Sequence, residues 1–113
     1  MRIAVKVSSQ RYVMLDVEDI YYLESDGHDT LIRTARKTRP RSVRPLGDLE
    51  KALTPHGFLR IHKSFLVNLN RVREVRTRPD DDNDWELKLD PPVNVVLPVG
   101  RRHLAALRRA LRF

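Results

Sequence analysis

The chemistry this 113-residue chain can offer rests on four histidines, a run of alternating aspartates and three short polar stretches. His28, His56, His62 and His103 are scattered, and no two have the close helical spacing of a zinc site. His28 precedes Asp29, but neighbours on a strand point to opposite faces, which argues against an acid–base pair. Asp80, Asp82 and Asp84 imitate the opening of a calcium loop. Trp85, however, stands where that loop needs glycine, and Pro91 where it needs its closing glutamate. There is no nucleophile elbow and no glycine-rich phosphate loop. The sequence therefore supports no catalysis and calls for no cofactor.

The polar stretches are Gly27-His28-Asp29-Thr30, His62-Lys63-Ser64 and Gly100-Arg101-Arg102-His103, each at the end of a predicted strand. Loops projecting from one edge of a β scaffold are a common binding surface. Lysine and arginine reach guanine O6 and N7, while histidine and serine donate to base edges or phosphates. Plainer roles compete. His62 could be a structural histidine bonded to backbone, and Ser64 could shape a bend. Arg101 and Arg102 sit against the macrodipole at a helix N-terminus, a mild cost that salt pairing could offset.

Charge points the same way. Lys and Arg total 22 against 15 Asp and Glu, a formal net charge of +7. Such a balance favours a polyanion, nucleic acid before membrane surface. With no cysteine, no apolar run of membrane-spanning length and no apolar signal core, a cytoplasmic protein with no membrane insertion is expected.

The elements that must position these residues are mostly strands. Ile3, Val5 and Val7 alternate, as do Val13, Leu15 and Val17; Ile20 to Ser25 and Thr30 to Thr34 form a hairpin across Asp26-Gly27-His28-Asp29. The basic run 33–44, with Pro40 inside it, reads as an edge strand or extended loop. Leu46, Leu49, Ala52 and Leu53 share a short amphipathic helix ended by Thr54 to Gly57. In FLRIHKSFLVNL, 58–69, the apolar residues fall on odd positions, so one unbroken strand would bury the Lys63 ammonium. Val72 and Val75 mark a further strand, Pro79 to Asp84 a solvated loop, Trp85 to Leu89 a strand and Val93 to Val99 the last one. From Gly100 onward Leu104, Leu107 and Leu111 line one face of a helix. The whole chain, 1–113, reads as a single mostly β domain with no receiver or membrane module.

The stretch Phe58-Leu59-Arg60-Ile61-His62-Lys63-Ser64-Phe65-Leu66-Val67-Asn68 resembles the F-x-R-[IV]-H-[RK]-S-[FY]-[LI]-V-N signature of the LytTR DNA-binding domain. Ile20 to Glu24 is similar to that family's early strand, Arg44 to Leu49 to its short-helix entry, and Leu97 to Arg102 to its late I-P-V-S-R stretch. The likeness implies an elongated arrangement of short antiparallel sheets with one short internal helix and a C-terminal helix. It implies sequence-specific binding of double-stranded DNA in bacterial transcription regulation, through loops entering successive major grooves. Carried over by position, His28, Asp29, His62, Lys63, Arg101 and Arg102 would contact bases, and Thr30, Ser64, Arg36, Arg39 and His103 phosphates. Lys63 would then lie on a bend facing DNA. Asn68 reads as a backbone ligand; Arg60 could pair with an acidic neighbour as a scaffold contact or reach phosphate, the scaffold role being slightly favoured.

Gly100 departs from the family's usual serine. The implied partners are paired DNA half-sites, a homodimer assembled on them, and an upstream regulatory domain or separate signalling protein. Residue chemistry alone leaves two other classes open: a binder of structured RNA, and a basic module for acidic proteins.

Overall fold

The apolar run over 58–69 folds back on itself. In the computed structural model, which describes residues 1–37 and 39–113, Phe58–His62 (β6 in chain order) and Phe65–Asn68 (β7) form a hairpin turning at Lys63 and Ser64. Ile61 is an extra residue in its ladder, since Arg60 faces Leu66 and His62 faces Phe65. That bulge shifts the alternation, placing His62 on the Leu59 face and leaving Arg60 on the other. Lys63 is exposed and its charge stays in water.

The other strands follow the alternations in order. Arg2–Ser8 (β1) and Arg11–Asp16 (β2) pair as a two-stranded sheet, Val5 opposite Val13. Ile20–Asp26 (β3) turns through Gly27 and His28 into Asp29–Thr34 (β4), and Gly27 takes the left-handed φ of 61° that favours glycine. Arg41–Ser42 (β5) is an edge strand within the basic run, which crosses Thr38, outside the described residues. The resulting five-stranded sheet has the order β5-β4-β3-β7-β6. Val72–Arg78 (β8), Asp81–Leu89 (β9) and Val96–Val99 (β10) make a third antiparallel sheet. The helices are Leu46–Leu53 (α1) and Leu104–Leu111 (α2).

Four sequence expectations need correction. The acidic stretch is not a loop: only Pro79 and Asp80 turn, and β9 begins at Asp81, opposite Arg78. The last strand starts at Val96, because 91–93 turn and Asn94 takes a positive φ of 52°. A 3-10 turn over Arg101–His103 precedes α2, so the arginines are not on the α-helix. Ala52 is exposed, on the outer edge of the apolar stripe of α1.

The five-stranded sheet is buried on both faces. Ile20, Leu23, Ile32 and Leu66 pack with Val5, Val17 and the α1 leucines on one side. Tyr21, Tyr22, Ile61 and Val67 pack with the third sheet and Leu107 on the other. Consecutive tyrosines share one cluster because the β3–β4 ladder bulges between Ile20 and Tyr22. Stacking sheets along one axis gives extents of 46 × 26 × 25 Å.

Leu49 is 4% exposed within the first cluster, so Leu49→Asp is expected to abolish the cooperative unfolding transition. Ala52→Lys on the same helix is expected to change stability by no more than about 0.5 kcal/mol. Urea titrations followed by circular dichroism check both; a folded Leu49→Asp protein would mean α1 is not docked.

Candidate nucleic-acid interface

Strand pairing brings the three polar stretches together. Glu24 lies opposite Phe65, so the Gly27-His28 turn and the Lys63-Ser64 turn leave the same end of the sheet. The Ser25 amide donates to the Ser64 carbonyl at 2.9 Å, tying the two turns. The Gly100 amide donates to the Ile61 carbonyl at 2.7 Å, which docks the Arg101–His103 turn beside them. A Cβ on Gly100 would lie 3.2 Å from His103 Cδ2 and 3.6 Å from the Ile61 oxygen, so a serine there requires only a small shift of the His103 ring.

One guanidinium shapes the middle turn. Arg60 Nε donates to the His62 carbonyl at 2.8 Å and Nη2 donates to the Lys63 carbonyl. Its Nη1 pairs with Glu50 of α1 at 2.8 Å. Arg60 is thus a scaffold residue, as expected. Asn68 is buried, donating to the Ile20 carbonyl at 2.9 Å and accepting from the Asn70 amide at 3.0 Å.

His62 adds a second lock. Its Nδ1 accepts from the Ser64 amide at 3.1 Å, which requires an unprotonated Nδ1 and leaves Nε2–H as the ring's donor. The ring lies 5.5 Å from that of Phe65. Burial, then the charges of Lys63, His103 and Arg60, hold its pKa below the ordinary histidine value.

The other anticipated residues divide. His28, Lys63, Arg101 and Arg102 are exposed at this end, with His103 and Ser64 half-buried. Arg101 Nε pairs with Asp84 of β9 at 3.0 Å. Asp29 accepts from Arg41 at 3.3 Å, and Arg41 also pairs with Asp26, so its carboxylate already has a cation. Thr30 must be corrected: it is fully buried and its hydroxyl donates to the Arg44 carbonyl at 2.9 Å, a brace that offers nothing to a phosphate. Arg36 lies past Thr34, at the opposite end of β4, where it borders a cleft with Arg2, Met14 and Asp16. Arg39 is near enough to Tyr22 to oppose the upward shift that burial gives the phenol.

Sequence reasoning missed Arg41, Glu50 and Asp84. Nothing local marks them, because each contact joins elements brought together only by the fold. His62 supplies a pH test. A folded-state pKa below the unfolded one makes its contribution present above about pH 6.5, and lost as pH falls through the lowered value. Wild type is therefore expected to lose its stability margin over His62→Gln as pH falls below about 6.5. Thermal melts of both proteins read it, and a pH-independent margin would rule out the Nδ1 lock.

The LytTr DNA-binding domain family model matches residues 10–112. The chain is 35% identical over 99 residues to the CO-responsive transcriptional regulator RcoM of Rhodospirillum rubrum, covering 86% of this chain and 39% of that protein. It is 32% identical over 107 residues to the transcriptional regulatory protein YpdB of Escherichia coli K12, covering 93% and 41%. With the sensory transduction protein LytT of Bacillus anthracis it shares 30% over 100 residues, 88% of this chain and 39% of that protein. The chain thus spans about two fifths of these relatives. A LytTr DNA-binding domain from Bacillus cereus superposes with a TM-score of 0.78 over 99% of this chain and 97% of the other, at 21% identity, and so shares its fold. The chain belongs to the LytTR family, DNA-binding domains of transcriptional regulators rather than enzymes.

Proposed function

We propose that this domain binds double-stranded DNA sequence-specifically, reading bases with the three turns at one end of the five-stranded sheet. The observation that carries the reading is their coupling through the Ser25–Ser64 and Gly100–Ile61 backbone bonds. Coupled turns present His28, Lys63, Arg101 and Arg102 as one rigid set, and preorganised side chains lose less entropy on binding. His62 serves as a turn lock whose Nε2–H adds a donor. Ser64 and His103 flank the set as phosphate ligands. Asp29 reads a base only by sharing its carboxylate with Arg41.

The turns lie in the order His28, Lys63, Arg101–Arg102 across the sheet, and the outer two enter successive major grooves. Arg36 and Arg39 lie away from the turns and act on backbone phosphates, without base information. A domain this size reads a short site, so two copies on paired half-sites, forming a homodimer on DNA, supply useful specificity. Regulation comes from a further domain of a longer protein or from a separate signalling protein, as the partial coverage of the relatives suggests. By this reading the domain works in the cytoplasm; among the described residues no helix is long and apolar enough to cross a membrane.

The test is selection of the purified domain against random duplex DNA near physiological salt. Enrichment of a motif is expected, with protections about 10 base pairs apart marking successive grooves. Retention without a motif would overturn sequence-specific reading and turn attention to RNA. Lys63→Ala and Arg102→Ala are each expected to cost about 1–3 kcal/mol on the enriched duplex and much less on a scrambled one. Arg36→Ala is expected to weaken both alike and to reduce the salt slope by about 1. Equal losses for Lys63→Ala on both duplexes would reassign it to a phosphate.

A further inference from the structure

The carboxylate of Asp84 stands at the end of the molecule proposed to meet DNA, where it repels phosphates. Its placement is specific. Trp85 pairs with Val99 at the end of the β9–β10 ladder, so the next residues along the two chains bring Asp84 beside the Gly100–Arg101 turn. Trp85 also pairs with Thr77, and its ring packs 5.4 Å from Phe113 and beneath Arg108 at 5.0 Å. The backbone beneath Asp84 is therefore anchored, and its side chain is 29% exposed. Arg101 is anchored at its base by the Gly100–Ile61 bond, but its side chain is 75% exposed.

The contact uses one donor. Arg101 Nε meets Asp84 Oδ1 at 3.0 Å, and a guanidinium held at Nε keeps both terminal nitrogens as a planar fork. That fork is the edge that binds guanine O6 and N7. Asp81 adds a second negative charge within reach of Arg101. An exposed pair of this kind contributes little to fold stability, so stability does not account for it.

We propose that Asp84 is the positioning residue for Arg101: it fixes the guanidinium at Nε, aims the two terminal nitrogens at a base, and repels arbitrary duplex. The proposal rests on the DNA reading of the Arg101 turn. A free arginine must lose rotamer freedom on docking, and a held one has already lost it. Repulsion between carboxylate and phosphate acts on every sequence, whereas the aimed fork is satisfied only by the right base. The aim alone raises discrimination; the repulsion lowers affinity for every duplex alike.

The test measures the affinity ratio between the duplex enriched by selection and a scrambled duplex of equal composition, for the full chain. Asp84→Ala is expected to reduce the ratio about threefold to tenfold, as loss of aim on one base contact implies. Asp84→Asn keeps the Oδ1 acceptor without the charge, so it is expected to bind both duplexes more tightly while retaining most of the ratio. In an Arg101→Ala background, Asp84→Ala is expected to change the ratio no further. Tighter binding of both duplexes by Asp84→Ala at an unchanged ratio would reduce Asp84 to a repulsive surface charge and overturn the proposal. So would an equal loss of ratio in the Arg101→Ala background. A wild-type ratio near one would appear before any substitution; it would bring down the DNA reading itself, and this inference with it.

Discussion

Burial of the five-stranded sheet on both faces is the constraint on which everything else depends. β3 and β7 send alternate residues into two different hydrophobic clusters, so neither strand can slip by one residue without exchanging the clusters. The register fixes which residues end the strands, and therefore where the turns project. Tyr21 and Ile61 mark the two departures from strict alternation, each at a ladder bulge. At β6–β7 the bulge puts Arg60 toward α1 and His62 toward Phe65. A core requirement thereby sets the side chains that hold the Lys63-Ser64 turn.

That turn shows how few polar contacts define a presented loop. Three acceptors, one on α1 and two at the turn itself, converge on the Arg60 guanidinium, and His62 Nδ1 takes the Ser64 amide. Lysine could not replace Arg60, because a point charge lacks the planar fork that serves separate acceptors. The Lys63 carbonyl helps to hold the turn, while its exposed side chain is displayed by it. The proposed base contact would thus sit on an exposed residue, while its neighbours carry the structural work.

Much of this was legible in residue order. The clash between the alternation of 58–69 and a buried Lys63 correctly demanded a bend, and the amide of Asn68 inside an apolar strand demanded a backbone partner. The Thr30 misreading arose from weighing its hydroxyl above its position. Thr30, Ile32 and Thr34 alternate on one face and are all buried, so the period-two rule applied from Ile32 inward would have placed it. Asp84 was a different failure. An acidic run after Pro79 looks like a solvated loop, because local composition says nothing of a partner strand beginning at Val96. Ion pairs across such ladders depend on contacts distant in sequence, and no short-range pattern encodes them.

The distribution of charge says more than its sum. A net +7 would suggest a uniformly cationic DNA face, yet the presented end also holds Asp26, Asp29 and Asp84. Each is paired to an arginine: Arg41 bridges two carboxylates and Arg101 holds the third. Pairing lowers the long-range attraction that any polyanion would feel, but it fixes the direction of the guanidinium. Lys63 and Arg102 are exposed nearby and supply attraction. The surface therefore separates two tasks that net charge confounds. By the proposed reading, attraction would bring phosphate backbones of any sequence to the domain, and oriented cations would decide among them. A domain built for affinity alone would have no use for carboxylates at this end, and their presence argues that discrimination has been favoured over strength of binding.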